Sequence, residues 1–168
     1  LLVGGLFVFS GVVKANDPMG FTYKLEEYFT VFGMGGLDPA APYLAILACV
    51  VEIFVGILLL LGLWRGLGLT LLMLMVVFFG FLPFYSAYYQ VVQDCGCFGD
   101  FMKMSPWESF YKNVGLFALS LILVRFRYLI RPLFSATLTK QIGITGLGLA
   151  ILFPVYTYNY LPVWDFRP

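Results

Sequence analysis

Histidine is absent from this sequence, and cysteine is scarce. The first absence excludes haem held by histidine, the usual imidazole-bound zinc and copper sites, and any Ser–His or Cys–His catalytic pair within the chain. Three cysteines are too few for a four-thiolate iron–sulfur cluster, and no C-x-x-C spacing supports a zinc site. We therefore expect no metal site in this chain.

Charged residues are also few. They make up 11% of the 168 residues, whereas 61% are hydrophobic and 19% aromatic. Soluble domains carry about 25% charged residues, so the composition predicts an integral membrane protein in contact with lipid. The net charge of +1 argues against nucleic acid as a partner. Because the chain begins without Met in the middle of an apolar run, we expect the N-terminus of the natural protein to be missing.

The apolar stretches predict an all-α membrane protein. The remaining part of a first transmembrane helix covers residues 1–13, and further spans are expected at about 42–63, 67–84, 105–124 and 142–158. Residues 21–32 form an amphipathic stretch that is too short to span, which predicts a helix in the interface or across the bundle mouth. Asp17-Pro18 disfavours continuation of the first helix, and Asp38-Pro39 resembles a helix start.

Basic residues predict the orientation. Short basic loops mark the cytoplasmic side of a membrane protein, and two predicted connections on one side are basic and free of acidic residues. The cysteine-containing loop would then face the periplasm of a Gram-negative bacterium, a compartment that permits disulfides. We therefore expect a multi-pass protein of the bacterial inner membrane. The basic residues are Arg65, Arg125, Arg127, Arg131 and Lys140.

The loop between the third and fourth spans contains Cys95 and Cys97, separated by Gly96. Cysteines at this spacing can close a small disulfide ring, for which glycine supplies the unusual dihedral angles. Strained or exposed disulfides tend to be labile or catalytic, which favours a redox-active dithiol; the alternative is a tight turn with passive cysteines. The flanking Asp94 and Asp100 disfavour a very reactive thiolate, because negative neighbours oppose deprotonation.

Glu52 lies near the middle of the predicted second span. A carboxyl group at that depth is costly, so we expect it to be neutral unless a cation pairs with it, and Lys14 is the best placed to reach it from a helix end. Glu52 could carry protons, or it could only hydrogen-bond helices together. Cys49, one turn nearer the cysteine loop on the same face, is either an intermediate thiol or a small core residue.

These segments resemble a known family. Residues 5–18 and 52–62 are similar to the first- and second-helix patterns of DoxX-like membrane proteins, and residues 95–100 with 106–108 resemble the related MauE branch. The similarity covers residues 1–124. It implies a DoxX/MauE-like four-helix transmembrane bundle over residues 1–131, to which residues 132–168 add a C-terminal transmembrane helix and tail. It also implies an association with quinone-linked oxidoreductases and, for MauE, help in maturing a disulfide-rich periplasmic enzyme.

The resulting hypothesis is a membrane thiol–disulfide redox protein. Cys95 and Cys97 would exchange disulfides with a periplasmic partner, a membrane carrier such as quinone would take or supply electrons, and Glu52 would handle the accompanying proton. No covalently bound cofactor is expected. Two alternatives belong to other classes: an accessory subunit of a larger respiratory or secretion complex, and a membrane protein that binds a small solute or lipid in a cavity lined by Glu52.

Overall fold

The computed structural model describes residues 1–92, 105–129, 132 and 135–160. Within these ranges the secondary structure is helical, with six α-helices and two 3-10 helices. The α-helices are α1 (Leu2–Asn16), α2 (Pro18–Val31), α3 (Ala41–Leu61), α4 (Arg65–Tyr89), α5 (Pro106–Arg125) and α6 (Ala136–Asn159), and the 3-10 helices are Gly35–Ala40 and Arg127–Leu129.

Three helices in the described part of the chain are long and apolar enough to cross a membrane. They are Gly35–Leu61, Arg65–Tyr89 and Thr137–Asn159, which correspond to three of the five expected spans. The apolar helix α1, at 15 residues, extends only about 22 Å at 1.5 Å per residue, less than the ~30 Å hydrocarbon core. The expected spans at α1 and α5 therefore stay predictions, while the all-helical membrane architecture is confirmed.

Prolines mark the starts of two helices, and one of these starts differs from the expectation. Pro18 does end α1, but it also occupies the first turn of α2, which begins three residues earlier than expected because Asp17 caps it by accepting from Gly20 N at 3.0 Å. Pro39 lies inside the 3-10 helix Gly35–Ala40, which directly precedes the second span. That span begins at Ala41, with Pro42 in its first turn, in agreement with the expected start at about residue 42.

Helix α2 covers one end of the bundle. Its buried face includes Phe21, Leu25 and Tyr28, and the Tyr28 hydroxyl lies 2.8 Å from Ser86 Oγ on α4. Val92, which follows α4, is buried against Tyr28 and contributes to the same hydrophobic cluster. The expected amphipathic helix is therefore present, and it covers the end at which α4 finishes.

Helices α1 and α3 pack against each other with their backbones unusually close. A Cβ atom at Gly56 would lie 2.7 Å from Val8 N and 2.8 Å from Gly4 O, and one at Gly11 would lie 2.6 Å from the Ile53 side chain. Small residues permit such close approach between membrane helices. Since Gly4 faces Gly56 and Gly11 faces Ile53, the helices are antiparallel, and the last turn of α1 lies opposite the middle of α3.

The remaining helices also run alternately up and down the bundle. On the α4–α5 pair, the rings of Phe84 and Phe110 are 5.3 Å apart. At the end of α6, Thr157 Oγ1 donates to the Ala15 carbonyl of α1 at 2.5 Å. We call the end where α1, α4 and α6 finish and α3 and α5 begin the loop end, because residues 93–104 connect α4 to α5 there. The opposite half of the bundle contains the basic residues that the sequence assigns to the cytoplasmic side. Those within the described ranges are Arg65, Arg125, Arg127 and Lys140.

Candidate functional site

The middle of the bundle contains a buried ion pair. Lys14 Nζ, from the last turn of α1, donates to Glu52 Oε2 on α3 at 2.7 Å. The two side chains are only 2% and 6% exposed. Buried charges persist when they are paired, so this contact supplies the cation that an ionised Glu52 requires. The partner expected from the sequence is therefore the one found.

Aromatic rings complete the surroundings of the Lys14 ammonium group. Its Nζ lies 4.1 Å from the ring centroid of Phe79 on α4 and 5.7 Å from that of Phe21 on α2. A cation over a ring face is attracted by about 2 kcal/mol when it is desolvated. The ammonium group of Lys14, on α1, thus contacts residues from α2, α3 and α4. Its surroundings therefore depend on how these four helices pack together.

Asn113 on α5 supports the backbone of Phe79. The Phe79 carbonyl would normally accept from the backbone N–H of residue 83, but Pro83 has none. Asn113 Nδ2 donates to this carbonyl at 2.8 Å and so replaces the missing bond. Neither Phe79 nor Asn113 was among the sequence-predicted site residues. A buried asparagine in an apolar helix and a proline four residues after Phe79 are the signals that could have identified them.

Cys49 lies one turn before Glu52 on α3, as expected, and it is completely buried. It belongs to the same hydrophobic cluster as Phe21 and Phe79, the two residues whose rings lie near the Lys14 ammonium group. The structure therefore places the thiol in the core, close to the ion pair along the chain. Its role as an intermediate thiol stays a prediction.

A cavity of about 90 Å³ lies beside the ion pair, between α1, α4 and α5. Its apolar wall includes Met75 and Leu116. The polar lining comes from both charged partners and from three further side chains, and it extends from the ion pair toward the start of α5. The polar lining residues are Ser10, Lys14, Glu52, Lys112 and Asn113.

Comparison with known proteins identifies the family. The family model described as "Methylamine utilisation protein MauE" matches residues 1–126. The chain belongs to the MauE family. It is also similar to Protein TlpB of Flavobacterium psychrophilum, with 26% identity over 117 residues that cover 68% of this chain and 32% of that protein. The chain thus spans about a third of the length of this curated relative. No solved structure matches.

The MauE match covers both parts of the predicted site, the ion pair and the cysteine loop, and it ends just after α5. It confirms the MauE side of the sequence resemblance. The DoxX-like side and the domain boundary at residue 131 stay predictions. Helix α6 lies beyond the matched region, although its Thr157 hydroxyl holds it against the end of α1.

The cysteine loop of this MauE family member lies outside the described residues. This applies to Cys95, Cys97, Gly96, Asp94 and Asp100, so their placement relative to the ion pair stays a prediction. The loop's flanks are described at both sides. Val92 is buried before it, and the capping box expected at the start of α5 is present after it: Glu108 N donates to Ser105 Oγ at 3.3 Å, and Ser105 N donates to Glu108 Oε2 at 2.8 Å.

The cavities differ in which cofactor they could hold. The cavity of about 90 Å³ beside the ion pair is smaller than the ~150 Å³ void that accepts benzene in an engineered core, so a quinone ring does not fit there. An apolar groove of about 620 Å³ along α3 and α6 is large enough, but Tyr156 is the one side chain in its lining with a polar group. In the described ranges, no group of three His, Cys, Asp or Glu side chains could hold a metal ion.

Proposed function

We propose that this MauE family protein is a membrane thiol–disulfide redox protein, in which Cys95 and Cys97 exchange a disulfide with a periplasmic protein. One observation carries the proposal: a buried Lys14–Glu52 pair, one turn from the buried Cys49, in a bundle whose helices α4 and α5 flank the cysteine loop in the sequence. The family is named for methylamine utilisation, and the resemblance noted from the sequence implies help in maturing a disulfide-rich periplasmic enzyme. The proposal extends that association to this chain.

The burial of the pair favours a role beyond stability. Replacing a buried ion pair with packed apolar groups is often neutral or stabilising, since both charges must be removed from water. The α1–α3 contact is already close at Gly4, Gly11 and Gly56, so the helices pack without help from the pair. In a chain that is 61% hydrophobic, an ionisable pair at this depth is a functional-site candidate.

The proposed reaction is a two-electron exchange. One thiolate of the Cys95/Cys97 dithiol attacks a disulfide of the partner, and a mixed disulfide forms as one partner sulfur leaves. The second cysteine then attacks the mixed disulfide, which closes the Cys95–Cys97 bond and releases the second partner sulfur. The dithiol is oxidised, the partner disulfide is reduced, and the two protons end on the partner thiols. The reverse direction obeys the same balance.

Glu52 acts as the temporary proton acceptor in this scheme. An attacking thiol must lose its proton before it reacts, and the leaving thiolate must later gain one. The buried carboxylate receives the first proton while Lys14 keeps its charge, and it returns the proton to the leaving sulfur. The exchange itself moves electrons between thiols and disulfides. A membrane carrier such as quinone that took or supplied those electrons would bind away from the ion pair, since the cavity there is only about 90 Å³.

The decisive experiment replaces both loop cysteines. Cys95→Ser with Cys97→Ser is expected to abolish exchange, so that trapped partner thiols shift in redox state in cells. Cys49→Ser tests separately whether the buried thiol is an intermediate. Thiol trapping before and after reductant reports the loop directly, and titration in glutathione buffers gives its potential. A membrane-impermeant thiol reagent tests the periplasmic orientation. If the double variant supports a normal host pathway, the redox proposal is wrong and the accessory-subunit alternative gains support.

A further inference from the structure

The cavity beside the ion pair has the size and polarity of a water site. A water molecule occupies about 30 Å³ in the liquid, so a volume of about 90 Å³ accommodates roughly three. The Ser10 hydroxyl, the Asn113 amide and the charged groups of Lys14, Glu52 and Lys112 offer the polar contacts that buried water needs.

The cavity also points toward the loop end. Lys112 lies six residues into α5, about 9 Å from the helix start at 1.5 Å per residue, and it is half-buried. Glu52 is the twelfth residue of α3, about 16 Å from that helix's start. The lining therefore extends from the depth of the carboxylate to within two turns of the beginning of α5.

Ser109 provides a second, independent observation. Its hydroxyl is completely buried and has no hydrogen-bond partner among the described residues. Ser109 is one helical turn nearer the loop end than Asn113, so both side chains share one face of α5. A buried hydroxyl without a partner is costly, and an ordered water is one group that satisfies it. Ser109 is not part of the cavity lining, but it adds a buried hydroxyl on the same face of α5 as Asn113, one turn nearer the loop end.

We propose that the cavity between α1, α4 and α5 binds a short chain of water molecules that carries protons between the Glu52 carboxylate and the loop end of the bundle. The other titratable groups near Glu52 are Lys14 from α1, Cys49 from α3 and Lys112 from α5. Each water passes one proton on and receives another, so no oxidant or reductant is needed. Use of these protons by the cysteine pair rests on the proposed function, whereas hydration of the cavity does not.

Met75 is a reporter for this water. Radiolysis by a short X-ray pulse forms hydroxyl radicals from nearby water, and methionine sulfur is readily oxidised. With the purified full chain in lipid nanodiscs, Met75, which lines the cavity, should be oxidised several-fold faster than Met73 on the same helix, which lies outside the lining. Equal, slow oxidation of both methionines would overturn the proposal.

A variant that fills part of the cavity tests whether the water depends on this space. Leu116→Phe adds volume to the cavity wall without removing a polar group, and Leu121→Phe makes the same change at an exposed position of α5. Leu116→Phe should lower Met75 oxidation several-fold, while Leu121→Phe should leave it unchanged.

Deuterium exchange of Glu52 provides the second measurement. In the Lys14→Met background Glu52 becomes a neutral acid, whose carboxyl infrared band shifts when its proton exchanges in D2O. Adding Leu116→Phe should slow this shift several-fold, and adding Leu121→Phe should not. An unchanged rate with Leu116→Phe would overturn the route. The cysteine double variant should leave both measurements unaltered, which separates failure of this inference from failure of the redox proposal.

Discussion

The chain contains two lysine–glutamate pairs in very different surroundings. Lys14 and Glu52 meet at 2.7 Å with side chains 2% and 6% exposed, and they are 38 residues apart in sequence. Lys24 and Glu27 meet at 3.0 Å on the surface of α2, three residues apart and 29% and 41% exposed. The chemical groups are the same, and burial sets what each pair contributes.

Burial makes the two charges of the Lys14–Glu52 pair dependent on each other. Each buried charge depends on the other because water is excluded, so removing one partner leaves an uncompensated ion. The surface pair loses little when it is broken, since water and salt replace the partner. A charged pair inside an apolar bundle therefore indicates a site, whereas an exposed pair of the same type indicates only a solvated helix face.

The largest effect is expected from Glu52→Gln. This change leaves the Lys14 ammonium group buried against the Phe79 and Phe21 rings without a carboxylate, and it should lower the free energy of unfolding by about 3–5 kcal/mol. Thermal unfolding in detergent micelles measures the loss.

Two control variants sharpen this test. Glu27→Gln makes the same chemical change at the surface pair and should be nearly silent. Combining Lys14→Met with Glu52→Leu removes both charges and should recover most of the stability while the proposed proton transfer is lost. If Glu52→Gln lowers the free energy of unfolding no more than Glu27→Gln does, Glu52 does not compensate the buried charge of Lys14.

A second large effect is expected at the α1–α3 contact that brings the buried pair together. Gly56→Ala places a methyl group 2.7 Å from Val8 N and 2.8 Å from Gly4 O, so the helices must separate, at a cost of about 1–3 kcal/mol. Gly5→Ala is the matched control, because a Cβ at Gly5 meets nothing within 4 Å. Unfolding midpoints of the two variants should differ clearly, and equal midpoints would contradict the close packing.

Asn113→Ala should have an intermediate effect. It leaves the Phe79 carbonyl without the Nδ2 donor at 2.8 Å, a loss of about 1–3 kcal/mol for a buried acceptor. The control is the same substitution in a Pro83→Ala background, where the restored backbone N–H can serve that carbonyl. A double-mutant cycle should therefore show strong coupling between positions 83 and 113. Purely additive effects would mean that Asn113 does not compensate for the proline.

The smallest effect belongs to the surface pair. Lys24→Met should change the free energy of unfolding by about 0.2–1 kcal/mol, and added salt should reduce even that difference because it screens exposed charges. Unfolding midpoints at low and high ionic strength measure both. A loss comparable to that of Glu52→Gln, or one insensitive to salt, would erase the contrast between the two pairs.

Local sequence determined much of the fold. The apolar runs, the Ser105 capping box and the Asp17-Pro18 break are properties of neighbouring residues, so helix α5 and the end of α1 could be predicted from them. The depth of Glu52 followed from counting along one helix. The same local signals placed the start of α2 three residues too late, because a proline fits the first turn of a helix as well as the segment before it.

Only the tertiary structure decided what surrounds Glu52. Lys14 could be named as a partner because no other cation was well placed, but its contact with Phe79 depends on how α1 packs beside α4. The bond from Asn113 to the Phe79 carbonyl joins residues 34 apart, and the cavity exists only where three helices diverge. Such contacts depend on packing between distant segments, which periodicity within one helix does not encode.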